Sequence, residues 1–124
     1  MNAITMIGLA MLVASPSLAQ TPTTPANPTK VEFTASTDHA LLTKYTIGYF
    51  LPGATDPVQT ADLALGVPDA QQKVTEPINA MPLGFGAYTA RLKAVAGAVS
   101  SEWSAASNEF TRAPFPPGVV RVVK

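Results

Sequence analysis

The sequence predicts an all-β fold, a two-sheet antiparallel sandwich of about seven strands, and three observations predict it. Apolar side chains after residue 29 recur at every second position, the period of a strand with one buried face. Glycine and proline punctuate the chain at intervals of roughly ten residues, and no long helical period runs through the same region. Such short strands must bury their apolar faces against a second layer, which gives a sandwich, with a small barrel as the rival architecture.

Residues 1–19 contain no charged side chain, and Ile4 to Ala14 form an apolar run too short to span a bilayer. The run is followed by Ser15-Pro16-Ser17-Leu18-Ala19-Gln20, a helix breaker and then small residues where a signal peptidase reads. A signal peptide over 1–19 is therefore predicted, cleaved between Ala19 and Gln20, and it implies export to a periplasmic or extracellular location. Residues 20–29, with three prolines in QTPTTPANP, read as an extended linker or an irregular first strand.

The domain itself is predicted over 30–112. In Lys30-Val31-Glu32-Phe33-Thr34-Ala35-Ser36, Val31, Phe33 and Ala35 point one way and Lys30, Glu32 and Thr34 the other, a half-buried strand. Lys44 to Phe50 places Tyr45, Ile47 and Tyr49 on one face and is rich in strand-favouring aromatic and β-branched residues. Leu51-Pro52-Gly53 turns the chain. Between Pro57 and Pro77, Val58-Gln59-Thr60 and Lys73-Val74-Thr75 read as short strands about a turn at Gly66 to Asp69, with one helical turn over Ala61 to Leu65 as the alternative.

Tyr88 to Ala96 is the strongest strand, its Tyr88, Ala90, Leu92, Ala94 and Ala96 alternating with Thr89, Arg91, Lys93 and Val95. The Gly84-Phe85-Gly86 corner precedes it and Gly97 follows, and Glu102 to Thr111 is expected to form a last strand. Residues 113–124 are a proline-rich tail whose end, Val119-Val120-Arg121-Val122-Val123-Lys124, is β-prone and adhesive. It is expected either to pair with an edge of its own domain or to add as a strand to a partner.

Composition bounds the chemistry. Eight basic residues balance eight acidic ones, leaving no electrostatic footprint for a nucleic acid. With no cysteine, there is neither a disulfide framework nor a thiolate metal site, so the fold must stand on its core. The one histidine, His39, lies beside Asp38 in the loop after the first strand, where a solvated role is expected, and zinc needs about three protein ligands. The acidic residues are scattered singly, and no glycine-rich phosphate loop or nucleophile elbow is present. No cofactor, metal or catalytic residue is assigned.

The pattern from about Pro28 to Arg112 resembles a fibronectin type III domain. Phe33 stands where that family has a strand-B tryptophan, Tyr45-Thr46-Ile47-Gly48-Tyr49 is similar to its strand-C pattern, Tyr88 to Val95 to its strand F, and Ser104 with Ser107 to its strand G. Tyr88, after Leu83-Gly84-Phe85-Gly86-Ala87, is similar to the tyrosine corner, in which the phenol closes a turn onto backbone a few residues upstream. Ser101-Glu102-Trp103-Ser104 resembles half of the W-S-x-W-S element of cytokine-receptor domains, which implies stacking of Trp103 with the strand-F cations Arg91 and Lys93. The other reading of Trp103 is an exposed aromatic platform for a sugar or a protein.

The function expected from these residues is a non-catalytic exported binding or spacer module, not an enzyme, acting through sandwich loops or an exposed edge. Its partner is expected to be a protein or a glycan, with strand addition through the tail as one route to it, and the mature chain is expected to carry no transmembrane segment. The alternative is a small envelope-located enzyme or small-molecule carrier with an unrecognised site.

Overall fold

A computed structural model describes residues 24–124. The signal peptide and its cleavage between Ala19 and Gln20 lie outside the described residues. The described residues form seven strands, β1 (Lys30–Thr34), β2 (Lys44–Phe50), β3 (Gln59–Leu63), β4 (Lys73–Pro77), β5 (Gly86–Ala96), β6 (Val99–Ser100) and β7 (Phe110–Arg112), and a 3₁₀ turn at His39–Leu41. They make two antiparallel sheets in a sandwich-like arrangement, not a barrel. The larger runs β3-β2-β5-β6, with β7 paired to the start of β5, and the smaller is the pair β1-β4.

Register follows from which face must be buried. β2 and β5 lie side by side with Ile47 opposite Leu92 and Tyr49 opposite Ala90, so the inward phases of both strands coincide. β1 opposes β4 with Phe33 beside Val74, putting Val31 and Phe33 over the larger sheet. The core between the layers holds Tyr45, Ile47, Tyr49, Leu63, Ala80, Leu83, Tyr88, Ala90 and Phe110. The two layers meet through rings: Phe33 of the small sheet sits edge-on to Tyr45 of the large one at 4.8 Å. All three tyrosines are buried, as the alternation predicts.

The segment 59–63 is strand and not the helical turn that was its alternative: it pairs with β2 from Tyr45 opposite Leu63 to Tyr49 opposite Gln59. A five-residue helix has too few internal bonds to compete with a ladder against a formed strand. The turn before β4 is closed by Asp69, whose Oδ1 accepts from the amides of Gln71 and Lys73. Before β5, the Tyr88 hydroxyl donates to the Gly84 carbonyl at 2.8 Å, and Leu83 is buried beneath the corner.

Burial raises the Tyr49 phenol above its ordinary pKa of 10.0, because the phenolate is poorly solvated between the sheets. A raised folded-state value means the stability tied to the neutral phenol is complete below about pH 10 and declines as pH rises beyond it. Alkaline denaturation followed by circular dichroism should therefore begin above about pH 10. Tyr49→Phe should move that limb to higher pH, and an unmoved limb would exclude Tyr49 as its source.

The largest difference from the sequence reading is the last strand. Strand geometry is confined to β6 and β7, and residues 101–109 between them are not strand at all. They nevertheless follow β5 closely. The amides of Ser101, Ser104 and Ser107 donate to the carbonyls of Ala94, Leu92 and Ala90 at 2.9, 2.8 and 2.8 Å. Three residues of this segment thus pass two of β5, one more per step than a ladder carries, which is a succession of bulges.

The reason lies in the serines. Each serine Oγ accepts from the amide of the residue whose carbonyl its own amide meets: Ser101 from Ala94, Ser104 from Leu92 and Ser107 from Ala90. Each hydroxyl proton goes to the next carbonyl in the chain, at Glu102, Ala105 and Asn108. The side chain replaces the backbone acceptor that a regular strand would have offered, so β5 stays paired while its neighbour takes a three-residue repeat.

Candidate functional site

The residues singled out for partner binding, Trp103, Arg91 and Lys93, come together on the outer face of the larger sheet. Arg91 and Lys93 occupy the outward phase of β5, and the serine rail carries Trp103 back over that face. Lys93 Nζ lies 4.5 Å from the centre of the Trp103 ring. Arg91 does not stack on the tryptophan; its guanidinium sits 5.3 Å over Phe50, and Phe50 in turn meets Trp103 edge-on at 5.2 Å. The four side chains therefore form one stack in the order Lys93, Trp103, Phe50, Arg91.

Two members of this site are missing from the sequence reading. Phe50 ends β2 on the phase opposite to Tyr45, Ile47 and Tyr49, and it is 1% exposed because Trp103 and Arg91 cover it. Gly48 is the seat of the indole. A Cβ there would lie 2.7 Å from Trp103 Cη2 and 2.9 Å from Phe50 Cε1, so this position in β2 leaves room for hydrogen only. The outer face is thus a second, minor core, which explains why Arg91 and Lys93 are half-buried rather than free.

Gly48→Ala is expected to displace the indole and cost about 1–3 kcal/mol, the usual range for overpacking. Iodide quenching of Trp103 fluorescence should become more efficient in that variant at a temperature where it remains folded. Unchanged quenching and an unchanged melting temperature would place Trp103 elsewhere.

Beside the stack lies a shallow depression of about 330 Å³ whose rim includes Lys44, Thr60, Lys93 and Trp103. Lys44 is paired with Asp62 at 3.0 Å, and both side chains are well exposed, so the pair adds little stability. The depression is open to solvent, and its polar lining comes from Lys44, Thr46, Thr60, Lys93 and Ser100.

His39 is half-buried and held, in contrast to the solvated loop residue expected. Its Nδ1 lies 2.8 Å from the Tyr45 hydroxyl, its Nε2 3.3 Å from the Gly66 carbonyl, and its ring stacks on Tyr45 at 5.7 Å. The Ser36 amide donates to the same Tyr45 hydroxyl at 3.0 Å. Every group is satisfied when Nε2 carries the proton: Ser36 N–H to Tyr45 oxygen, Tyr45 O–H to Nδ1, and Nε2–H to the Gly66 carbonyl. Both ring nitrogens are engaged, Nδ1 tying the His39 loop to Tyr45 on β2 and Nε2 tying it to the Gly66 turn.

Arg112, at the end of β7, is likewise held. It is 7% exposed, stacked between Phe85 at 5.2 Å and Phe115 at 5.7 Å, and Nη1 donates to Asn27 Oδ1 and the Ala113 carbonyl. Asn27 Oδ1 also accepts the Ala113 amide, while Asn27 N–H donates to Thr111 and Thr111 N–H to Pro25. This clamp ties residues 25–27 alongside β7 in a parallel bridge at Ala26 and Thr111.

Among the described residues no three His, Cys, Asp or Glu side chains are grouped to hold a metal ion, and no helix is long and apolar enough to cross a membrane. Comparisons with family models, curated proteins and solved structures find no match to this chain.

Proposed function

We propose that the chain is a non-catalytic exported module of the fibronectin type III kind, which binds or spaces through an exposed edge or the sandwich loops. One observation carries this reading. The histidine, the cations of β5, Arg112 and the serines after β6 are occupied in holding the fold: His39 on Tyr45 and Gly66, Arg91 and Lys93 on aromatic rings, Arg112 in the Asn27 clamp, and the three serines on β5. What remains accessible is scattered single charges, unpaired edge backbone and apolar surface, of which the last two are the material of recognition.

Further support for the family comes from the Tyr88–Gly84 bond, which has the form of a tyrosine corner, and from the pairing of β1 with β4 opposite a sheet built on β2 and β5. Export rests on the residues 1–19 and the Ala19-Gln20 junction.

Expression in a host with a secretory envelope, followed by N-terminal sequencing of the exported material, tests the address. The reading requires a chain beginning at Gln20, and retention of Met1 overturns it. Crosslinking of the tagged chain in its native envelope tests the module. Crosslinks that map to the β1 edge or the sandwich loops support it, and turnover of a small molecule that is abolished by His39→Ala contradicts it.

A further inference from the structure

We propose that the segment Val119 to Val123 of one copy adds as an antiparallel strand to the free edge of β1 in a second copy. The inference rests on reading the chain as a binding module and names its partner. The edge is defined by hydrogen-bond phase. Ile78 N–H donates to Thr29 and Ala35 N–H to Gln72, so the odd-numbered residues of β1 turn their backbone toward β4. Lys30, Glu32 and Thr34 consequently turn their N–H and C=O groups outward, where no strand of the described residues pairs with them.

Beside this edge the seam between the sheets opens in two hollows of about 280 Å³ each, one lined by Phe33, Tyr45, Leu92 and Ala94, the other by Val31, Ala90 and Phe110. A strand laid on β1 with apolar residues at alternate positions would complete the small sheet and roof both hollows.

The tail has that pattern. Val119, Val120, Val122 and Val123 are all largely exposed, with Val119 at 102% and Val122 at 92%, so the segment does not lie on its own domain. Its single interior charge fixes the face: Arg121 must stay in water, which turns Val120 and Val122 inward. Arg121 then pairs with Glu32, an exposed carboxylate at the middle of the edge, in a position whose backbone groups face the incoming strand. In that register Val122 stands beside Val31 and Val120 beside Phe33, each small enough to fill its hollow. Pro114, Pro116 and Pro117 lie before the pairing segment and remove no donor from it; they hold its base extended, away from the parent domain. Exchange between two copies is reciprocal and closes as a dimer.

The test is sedimentation of the full chain over a range of concentrations, with hydrogen exchange at single residues. A concentration-dependent dimer is expected, in which the amides of Lys30, Glu32 and Thr34 are protected at high concentration and exchange freely on dilution. Val122→Asp should abolish the dimer without lowering the melting temperature of the monomer. Glu32→Pro should do the same, since the lost N–H faces outward and the β1-β4 pairing does not use it. Arg121→Glu should weaken the dimer and Glu32→Arg in the same chain restore it.

A monomer at all concentrations overturns the inference, as does a dimer that survives Val122→Asp. Protection of the three edge amides in the monomer also overturns it, because another segment then covers the edge. None of these results touches the reading of the chain as a binding module, which fails separately if no crosslink reaches its edge or loops.

Discussion

Phe110→Ala should destabilise the domain by about 3–5 kcal/mol, the range for truncating a buried aromatic residue. Phe110 is 5% exposed and stands where three elements converge: its ring meets Tyr49 edge-on at 6.0 Å and Tyr88 face-on at 5.9 Å, and its backbone is opposite Tyr88 in the β5-β7 pair. β7 is only three residues long, so few other contacts fix it to the sheet. Removing the ring leaves a void between two tyrosines whose own positions are set by β2 and β5 and cannot collapse to fill it. A domain of this size commonly has about 5–15 kcal/mol in total, so a large share of it is at stake. Thermal melting by circular dichroism should show a fall of roughly 12 °C or more. A fall of a few degrees would mean that Phe110 is not packed between the tyrosines.

Replacing Ser101, Ser104 and Ser107 together by alanine is expected to cost about 2–4 kcal/mol, from three hydrogen bonds of ordinary net strength. The amides of Ala94, Leu92 and Ala90 each lose their side-chain acceptor, and the segment that carries Trp103 loses its attachment to β5. The loss should be shared, each single variant costing about a third, because the three sites are two residues apart on β5 and have separate partners. Amide exchange at positions 90, 92 and 94 should accelerate in the triple variant while 47 and 49 on β2 stay protected. If the three β5 amides keep their protection, a regular strand is supplying the acceptors and the serine rail is wrong.

The rail also marks where sequence reasoning reached its limit. β1, β2 and β5 were legible because each buries one face against a partner sheet, and a period of two in Val31 and Phe33, or in Tyr45, Ile47 and Tyr49, is the direct imprint of that burial. The segment after β6 has a period of three, written as Ser101, Ser104 and Ser107. The spacing was visible, but a strand reading presumes that the backbone supplies the bonds, and here the side chains supply half of them.

The outer stack was half legible for a related reason. Lys93 beside Trp103 is what the resemblance to the W-S-x-W-S element implies, with alternation putting Lys93 on the outer face, whereas Phe50 and Gly48 enter through a contact between positions far apart in the chain. A glycine inside a strand signals close approach of something, and only the structure identifies it as an indole. A solvated role for His39 is the expectation for a lone histidine beside Asp38 in a loop. What holds it is the Tyr45 hydroxyl on β2 together with a carbonyl 27 positions later in the chain, neither of which its sequence neighbours announce.

Much of this depends on aromatic rings from the small sheet meeting rings of the large one. The direct measurement is nuclear Overhauser contact in solution between the side-chain protons of Phe33 and Tyr45, whose ring centres lie 4.8 Å apart across the interlayer gap. A strong contact, accompanied by one from Phe110 to both Tyr49 and Tyr88, is the predicted result. A well-dispersed spectrum in which Phe33 has no neighbour among the β2 rings would contradict it, since the two-stranded sheet would then pack somewhere other than over the tyrosines.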